Sequence, residues 1–451
     1  MYSFTKVGKA QPYVPDVGVP SVRPVISRPD PVINGARRLF YFGCFLVPLT
    51  AVRFSDGLAV SDWIFFLSGA LTLMSLDRRK IRPSGWLVAA SIFAFGASLS
   101  LAFVSSTPGA ELAVGGRIVF VWGVWPVIAA LVLLDRHQVG RAVAFFVAGG
   151  SLSAIVAITQ IAGIDLRGFF LSAPPDILGL PTRVVGLNTN PNAQAGTLAV
   201  AFTVAFGALI YGQKRSLAAC ALVLTASGIL LSGSISGTLV AAAGLAALAL
   251  RGRKVRTLAL LAVFAAPAWV LTSKLQEAQM GVLTPFQRIS SATGRSGIST
   301  LDLRLQTIDF AWQRIVANPW QGAGLVSTEG GTYDGVTLPH NMEVLAWFQG
   351  GPLMLLAVLI ATLTALAFVW RRMGDPLWEM LFAAVICGLA FAQTGPALFD
   401  RYLWLPVVMA FALKHQRSKT APDGRKRGDG EDLLFKPAAG ARLAPTSELL
   451  T

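Results

Sequence analysis

Long apolar runs recur along this chain, and they fix what it can fold into. A stretch of roughly 17–25 apolar residues is the length of a helix that crosses a bilayer. Only a helix or a closed barrel satisfies every backbone polar group there without water. Twelve such runs are read, at about residues 37–54, 58–75, 85–105, 113–134, 140–162, 191–211, 216–231, 235–250, 256–273, 342–369, 377–395 and 398–413. The tenth is long, and its length is accommodated either by tilt or by a break near Gly350-Gly351-Pro352. Charged residues make up 14% of the chain, against about a quarter in soluble domains. An ordinary cytosolic enzyme is thereby excluded. The predicted fold class is an all-α polytopic membrane protein of about twelve transmembrane helices, with a helical loop between the ninth and tenth.

The formal net charge of +15 is explained by where the cations sit. Taking alternate segments along the chain, one side carries 28 of the 38 Lys and Arg, in both tails and in the loops around Arg78–Arg82, Arg136–Arg141, Lys214-Arg215, Arg251–Arg256 and Arg371-Arg372. The other side carries ten. This bias sets topology in membrane proteins, with the cationic side cytoplasmic, so both termini are expected in the cytoplasm. The excess charge is topogenic and attracts anionic lipid; it does not point to nucleic acid. Residues 1–36 hold six prolines and no apolar core, and residues 414–451 are polar with Arg425-Lys426-Arg427. Both are expected to be disordered cytoplasmic tails flanking a membrane domain at 37–413.

Two segments on the cation-poor outer side are long, at about 163–190 and 274–341. The second contains a predicted amphipathic helix, Ser299 to Asn318, in which Leu301, Leu305, Ile308, Trp312 and Ile315 recur at helical spacing. Ser299 or Thr300 is placed to cap it and Pro319 to end it. Cys44, Cys220 and Cys387 lie apart in apolar runs, without metal-ligand spacing. Outer carboxylates such as Asp302, Asp309, Asp334 and Glu343 are scattered. No metal site and no cofactor are expected, and the absence of a Walker motif argues against an ATP-driven pump.

The chemistry-bearing residues are few. His340 is the one outer histidine, between Pro339 and Asn341 at the start of the tenth helix. A helix N-terminus disfavours the imidazolium, as do nearby arginines, and a neutral imidazole there suits a general base. Arg183 precedes Gly186 and Asn190-Pro191-Asn192. Asn190 is placed to cap the sixth helix with Pro191 at its first position, an end that favours anions. Arg304 lies on the loop helix. Arginine suits a diphosphate because its planar fork makes bidentate, charge-assisted bonds. Trp312, Trp320, Trp347 and Phe348 are read as interface anchors or core residues in preference to a wall for sugars or an isoprenoid chain.

In this order and on one side, three stretches resemble the bacterial O-antigen ligase and polysaccharide polymerase family of integral membrane glycosyltransferases. They are Arg183-Val-Val-Gly186-Leu-Asn-Thr-Asn190-Pro191-Asn192; Arg304 on the helix ending Asn318-Pro319-Trp320-Gln-Gly322-Ala-Gly324; and His340-Asn341-Met-Glu-Val-Leu345 followed by Gly350-Gly351. The resemblance covers about residues 180–400. It implies a bacterial inner-membrane enzyme with a periplasmic site. The donor would be a glycan on undecaprenyl diphosphate, and the acceptor a polysaccharide or lipid A-core. Arg183, Arg304 and His340 would be catalytic. Asn190, Asn192, Asn341, Arg117 and Arg401 would bind substrate, without metal or cofactor. The chain departs from the family where many members carry an arginine near the start of the eighth helix. Here the stretch reads Ser232-Gly-Ser234-Ile235, so that cation's role is either absent or supplied elsewhere, by Arg117 or Arg401. The acceptor stays open between polymerase, ligase and protein O-oligosaccharyltransferase, with polymerase favoured. A lipid-linked glycan flippase is the rival from another class. It predicts ionisable residues at mid-span and internal repeats; the sequence has few of the former and no clear repeat.

Overall fold

The computed structural model describes residues 31–52, 59–75, 81–161, 164, 183–253, 300–326, 333, 337–370 and 374–420. Among the described residues the chain is helical throughout, without a β-strand. Its helices are α1 (Pro31–Leu46), α2 (Val60–Met74), α3 (Gly85–Ala102), α4 (Pro108–Val132), α5 (Arg136–Ile161), α6 (Pro191–Ile210), α7 (Arg215–Leu231), α8 (Ile235–Leu248), α9 (Thr300–Ala317), α10 (Met342–Trp370), α11 (Pro376–Ala392) and α12 (Arg401–Thr420). Five are long and apolar enough to cross a membrane: α3, α4, α5, α6 and α10. Four shorter apolar helices, including α2, α7 and α11, join them. Eleven of the twelve expected spans are therefore helical, and α9 is the expected loop helix. The expected ninth span, at 256–273, lies outside the described residues, as do Asp334 and most of the segments at 163–190 and 274–299.

Two boundaries differ from the reading of the tails. Helix α1 begins at Pro31 rather than near 37, since proline at a helix start loses no hydrogen bond. Helix α12 runs to Thr420 rather than ending near 413. His415 is held there by the Phe411 and Arg82 carbonyls, and Gln416 donates to Leu133 O.

Proline and glycine shape the long helices. Pro126 has no N–H to give the Trp122 carbonyl, and α4 widens into a π turn at Phe120–Val124 just before it. In α10, Gly351 leaves helical geometry at φ 68° and Pro352 follows, so of the two alternatives the long run takes the break. The break frees the carbonyls of Phe348 and Gln349. Ala323 and Gly324, in the loop after α9, donate to them at 2.8 and 3.0 Å. This close approach requires glycine at 322, where a Cβ would lie 2.0 Å from Gln349 O. Gly322→Ala should therefore displace the loop and cost about 1–3 kcal/mol. Thermal unfolding of the purified protein in detergent measures this.

The helices alternate in direction, as side-chain bonds at their ends show. One end of the bundle joins Ser98 on α3 to the Glu111 carbonyl on α4, Asn188 to the Pro48 carbonyl after α1, and Arg401 on α12 to Asp62 on α2. The opposite end joins Arg136 to Asp375 at 2.6 Å, Tyr211 to Glu379, and Arg251 to the Trp370 carbonyl. Of the basic segments, the described Arg82, Arg136 and Arg251 lie at this second end. The candidate site residues all lie toward the first. Between the ends, Ile92, Leu239 and Leu363 face outward and exposed, the arrangement of helices solvated by lipid.

Candidate functional site

His340 and Arg304 are brought together at the mouth of α10. The face of α9 that packs on α10 carries Ala311 and Ile315, with Phe310 beside them, against Val344, Trp347 and Phe348. The expected stripe holds only in part. Ile315 is buried as expected, together with Thr307 and Ala311, whereas Leu305 and Trp312 of the stripe are exposed, as is Val316. Small residues let α9 approach α10 closely. Arg304 lies two turns before Ala311 on that packed face. Its charge consequently reaches the His340 imidazole. Trp347 fixes the end of α9 by donating to Pro319 O at 3.0 Å, and its ring stands perpendicular to that of Trp312 with the centroids 5.9 Å apart.

The His340 pKa is lowered below the usual 6.5, first by burial and then by the Arg304 charge, with a hydrogen bond to the Leu338 backbone opposing. Nδ1 is buried and makes no side-chain hydrogen bond of good geometry among the described residues. A neutral imidazole is thus available as a base below ordinary histidine pH. The sign follows directly. A lowered pKa keeps the ring unprotonated as pH falls, so activity that depends on this base should hold through pH 6.5 and decline only below it. Arg304→Gln removes the second cause, and should raise the midpoint of the acid limb part of the way back. A pH–rate profile of the two proteins checks both statements.

Asn341 caps α10, its Oδ1 accepting from Val344 N at 2.9 Å. Its Nδ2 donates to Gln393 Oε1 at 2.8 Å, and Gln393 Nε2 donates to Glu343 Oε1 at 3.0 Å. The other Glu343 oxygen is buried with no hydrogen-bond partner among the described residues. A carboxylate, an amide and an imidazole therefore share this corner. Among the described residues no group of three or more His, Cys, Asp and Glu is placed to hold a metal.

Arg183 is held in a second arrangement. Its Nε donates to Ser232 O at 3.0 Å and its Nη2 to Asn192 Oδ1 at 2.9 Å. Ser234, the cap of α8, also donates to Asn192 at 3.2 Å. These bonds join α6 to the turn between α7 and α8, just before Ile235. Asn190 caps α6 as expected, accepting from Ala193 N at 2.7 Å with Pro191 at the first position. The intervening segment is anchored below. Gly186 at φ 54° turns under Ser153 and Gln194. Asn188 bonds Thr50, Pro48 O and the buried Gln194, and Gln194 bonds Ser153. Gly196 on α6 packs against Phe391 on α11, whose neighbour Gln393 bonds Asn341. The two arrangements thus flank the same end of α11.

Arg117 and Arg401 stand differently. Arg117 lies on α4 about six residues inside Glu111, whose carboxylate accepts from Leu325 N at 2.8 Å in the loop after α9. Arg401 is committed to a bidentate pair with Asp62, a carboxylate 2% exposed. Sequence reasoning did not single out Asp62, Gln194 or Gln393. An acid just inside an apolar run was the available signal for Asp62, since such a group needs a partner. The chain matches no protein-family model and no curated protein sequence at a significant level.

Proposed function

We propose that this protein transfers a glycan from undecaprenyl diphosphate to an acceptor hydroxyl at the outer, periplasmic face of a bacterial inner membrane, in surface polysaccharide assembly. The observation that carries the reading is the pairing of a partly buried, neutral-biased His340 with Arg304 at the mouth of the broken helix α10. In the proposed reaction His340 takes the proton of the acceptor hydroxyl as its oxygen attacks the anomeric carbon. The bond from that carbon to the diphosphate oxygen breaks, and the lipid diphosphate leaves. Arg304, with Arg183 across the end of α11, stabilises the developing negative charge. Asn190, Asn192 and Asn341 offer amides to the sugars, and the reaction requires no metal or nucleotide. Arg401 serves this site by holding α12 to α2.

We favour polymerisation of lipid-linked repeat units. A strain lacking the protein tests the proposal. Surface glycan reduced to a single repeat is the expected result. Long chains accumulating on the lipid carrier would reassign the enzyme as a ligase, and loss of glycan from a protein would make it a protein O-oligosaccharyltransferase. Lipid-linked repeats trapped on the cytoplasmic face, or unchanged surface glycan, would contradict the proposal.

A further inference from the structure

A cavity of about 760 Å³ opens at the opposite end of the bundle, between the start of α3 and the ends of α4, α10 and α12. Its wall combines Arg82 and Lys414 with Trp86, Leu133, Phe368 and Phe411. We propose that this cavity binds the headgroup and upper chains of an anionic glycerophospholipid of the leaflet at that end. Two cations supply the charge complement for a phosphate. Lys414 Nζ also lies 4.9 Å over the Phe368 ring, which holds it at the cavity wall.

The start of α3 adds to this. Ser84, its N-cap, makes no side-chain hydrogen bond to the first turn, and Ser84, Gly85 and Trp86 all line the cavity. The first-turn N–H groups have no intrahelical acceptor and favour an anion. The walls are fixed in place. His415 joins the Phe411 carbonyl on α12 to the Arg82 carbonyl, at 3.1 and 2.9 Å. Gln416 Nε2 donates to Leu133 O, while its Oε1 is buried without a partner among the described residues and suits a headgroup hydroxyl. A lipid rather than a soluble phosphate fits because half of the wall is apolar and Trp86 stands 69% exposed at its rim. Indole at that position marks the interface of a bilayer, and basic pockets between helices on the cationic side are the usual seat of anionic headgroups. The inference does not depend on the reaction proposed for the other face.

The test is native mass spectrometry of the full-length protein in detergent, loaded with either phosphatidylglycerol or phosphatidylcholine. The wild type is expected to retain phosphatidylglycerol preferentially. Each cation removed should weaken retention roughly fivefold, about 1 kcal/mol, so Arg82→Gln with Lys414→Gln should weaken it roughly 25-fold. Phosphatidylcholine binding should not change. The charge-keeping pair Arg82→Lys with Lys414→Arg should retain most of the lipid. Arg82→Gln alone, at an exposed position, serves if the double variant does not fold. Equal retention of the two lipids, or unchanged phosphatidylglycerol in the charge-removed variants, would overturn the proposal. Displacement of the lipid by millimolar glycerol phosphate or inorganic phosphate would assign the cavity to a soluble phosphate instead, and would overturn it too.

Discussion

Arg304→Ala is expected to slow glycan transfer roughly 100- to 1,000-fold, the usual cost of removing one group that stabilises transition-state charge. The loss should appear mainly in the rate at saturating donor, because the guanidinium meets more negative charge as the diphosphate departs than it does in the bound donor. Arg304→Lys should recover only part of the rate, since an ammonium keeps the charge but not the bidentate fork. Both variants should unfold at the wild-type temperature. Arg304 lies on the α9 face that meets α10, yet the packing there is made by Ala311, Ile315 and Phe348. Steady-state kinetics with a purified lipid-linked glycan measures this. A rate within threefold of wild type for Arg304→Ala would remove Arg304 from the mechanism.

Arg401→Ala should instead cost stability, about 3–5 kcal/mol, because it leaves the buried Asp62 carboxylate without its partner. Asp62 also accepts from the Ala59 N–H, so it holds the start of α2 as well as the start of α12. The neutral pair Asp62→Asn with Arg401→Gln should recover most of that loss, since no charge is then stranded. Thermal unfolding in detergent separates the roles. A structural pair gives a strongly destabilised single variant and a rescued double variant that keeps its activity. An arginine binding substrate would give the reverse: a stable single variant, with both variants inactive.

These two arginines show which parts of the molecule were legible in the sequence. Features set by local rules were read directly. Asn190 and Pro191 start α6, and the break at Gly350-Gly351-Pro352 follows from φ and from a missing N–H. The loop helix ends at Ala317, within a residue of its expected end, because Pro319 stops it two residues on. Its buried face matches the amphipathic pattern only at Ile315: Leu305 and Trp312 face outward while Thr307 and Ala311 pack, because the contact with α10 is made through small side chains. The partner of Arg401 was not legible either. Asp62 is 339 positions away in sequence, and only the packing of the helices brings the starts of α2 and α12 together. The same holds for Gln393, which meets Asn341 and Glu343 only because α11 ends beside the start of α10. His340 and Arg304 were nominated by residue type. Their proximity was set by the loop backbone at Ala323 and Gly324, which closes on the freed carbonyls of α10.

The most direct test of the account is single-turnover transfer in proteoliposomes, with undecaprenyl-diphosphate glycan as donor, chelator in the buffer, and wild-type protein beside His340→Ala. The wild type should form product without divalent metal. His340→Ala should bind donor normally and transfer about 100- to 10,000-fold more slowly, the range for loss of a general base. Wild-type protein that forms no product, or a folded His340→Ala protein that transfers at the wild-type rate, would contradict the account.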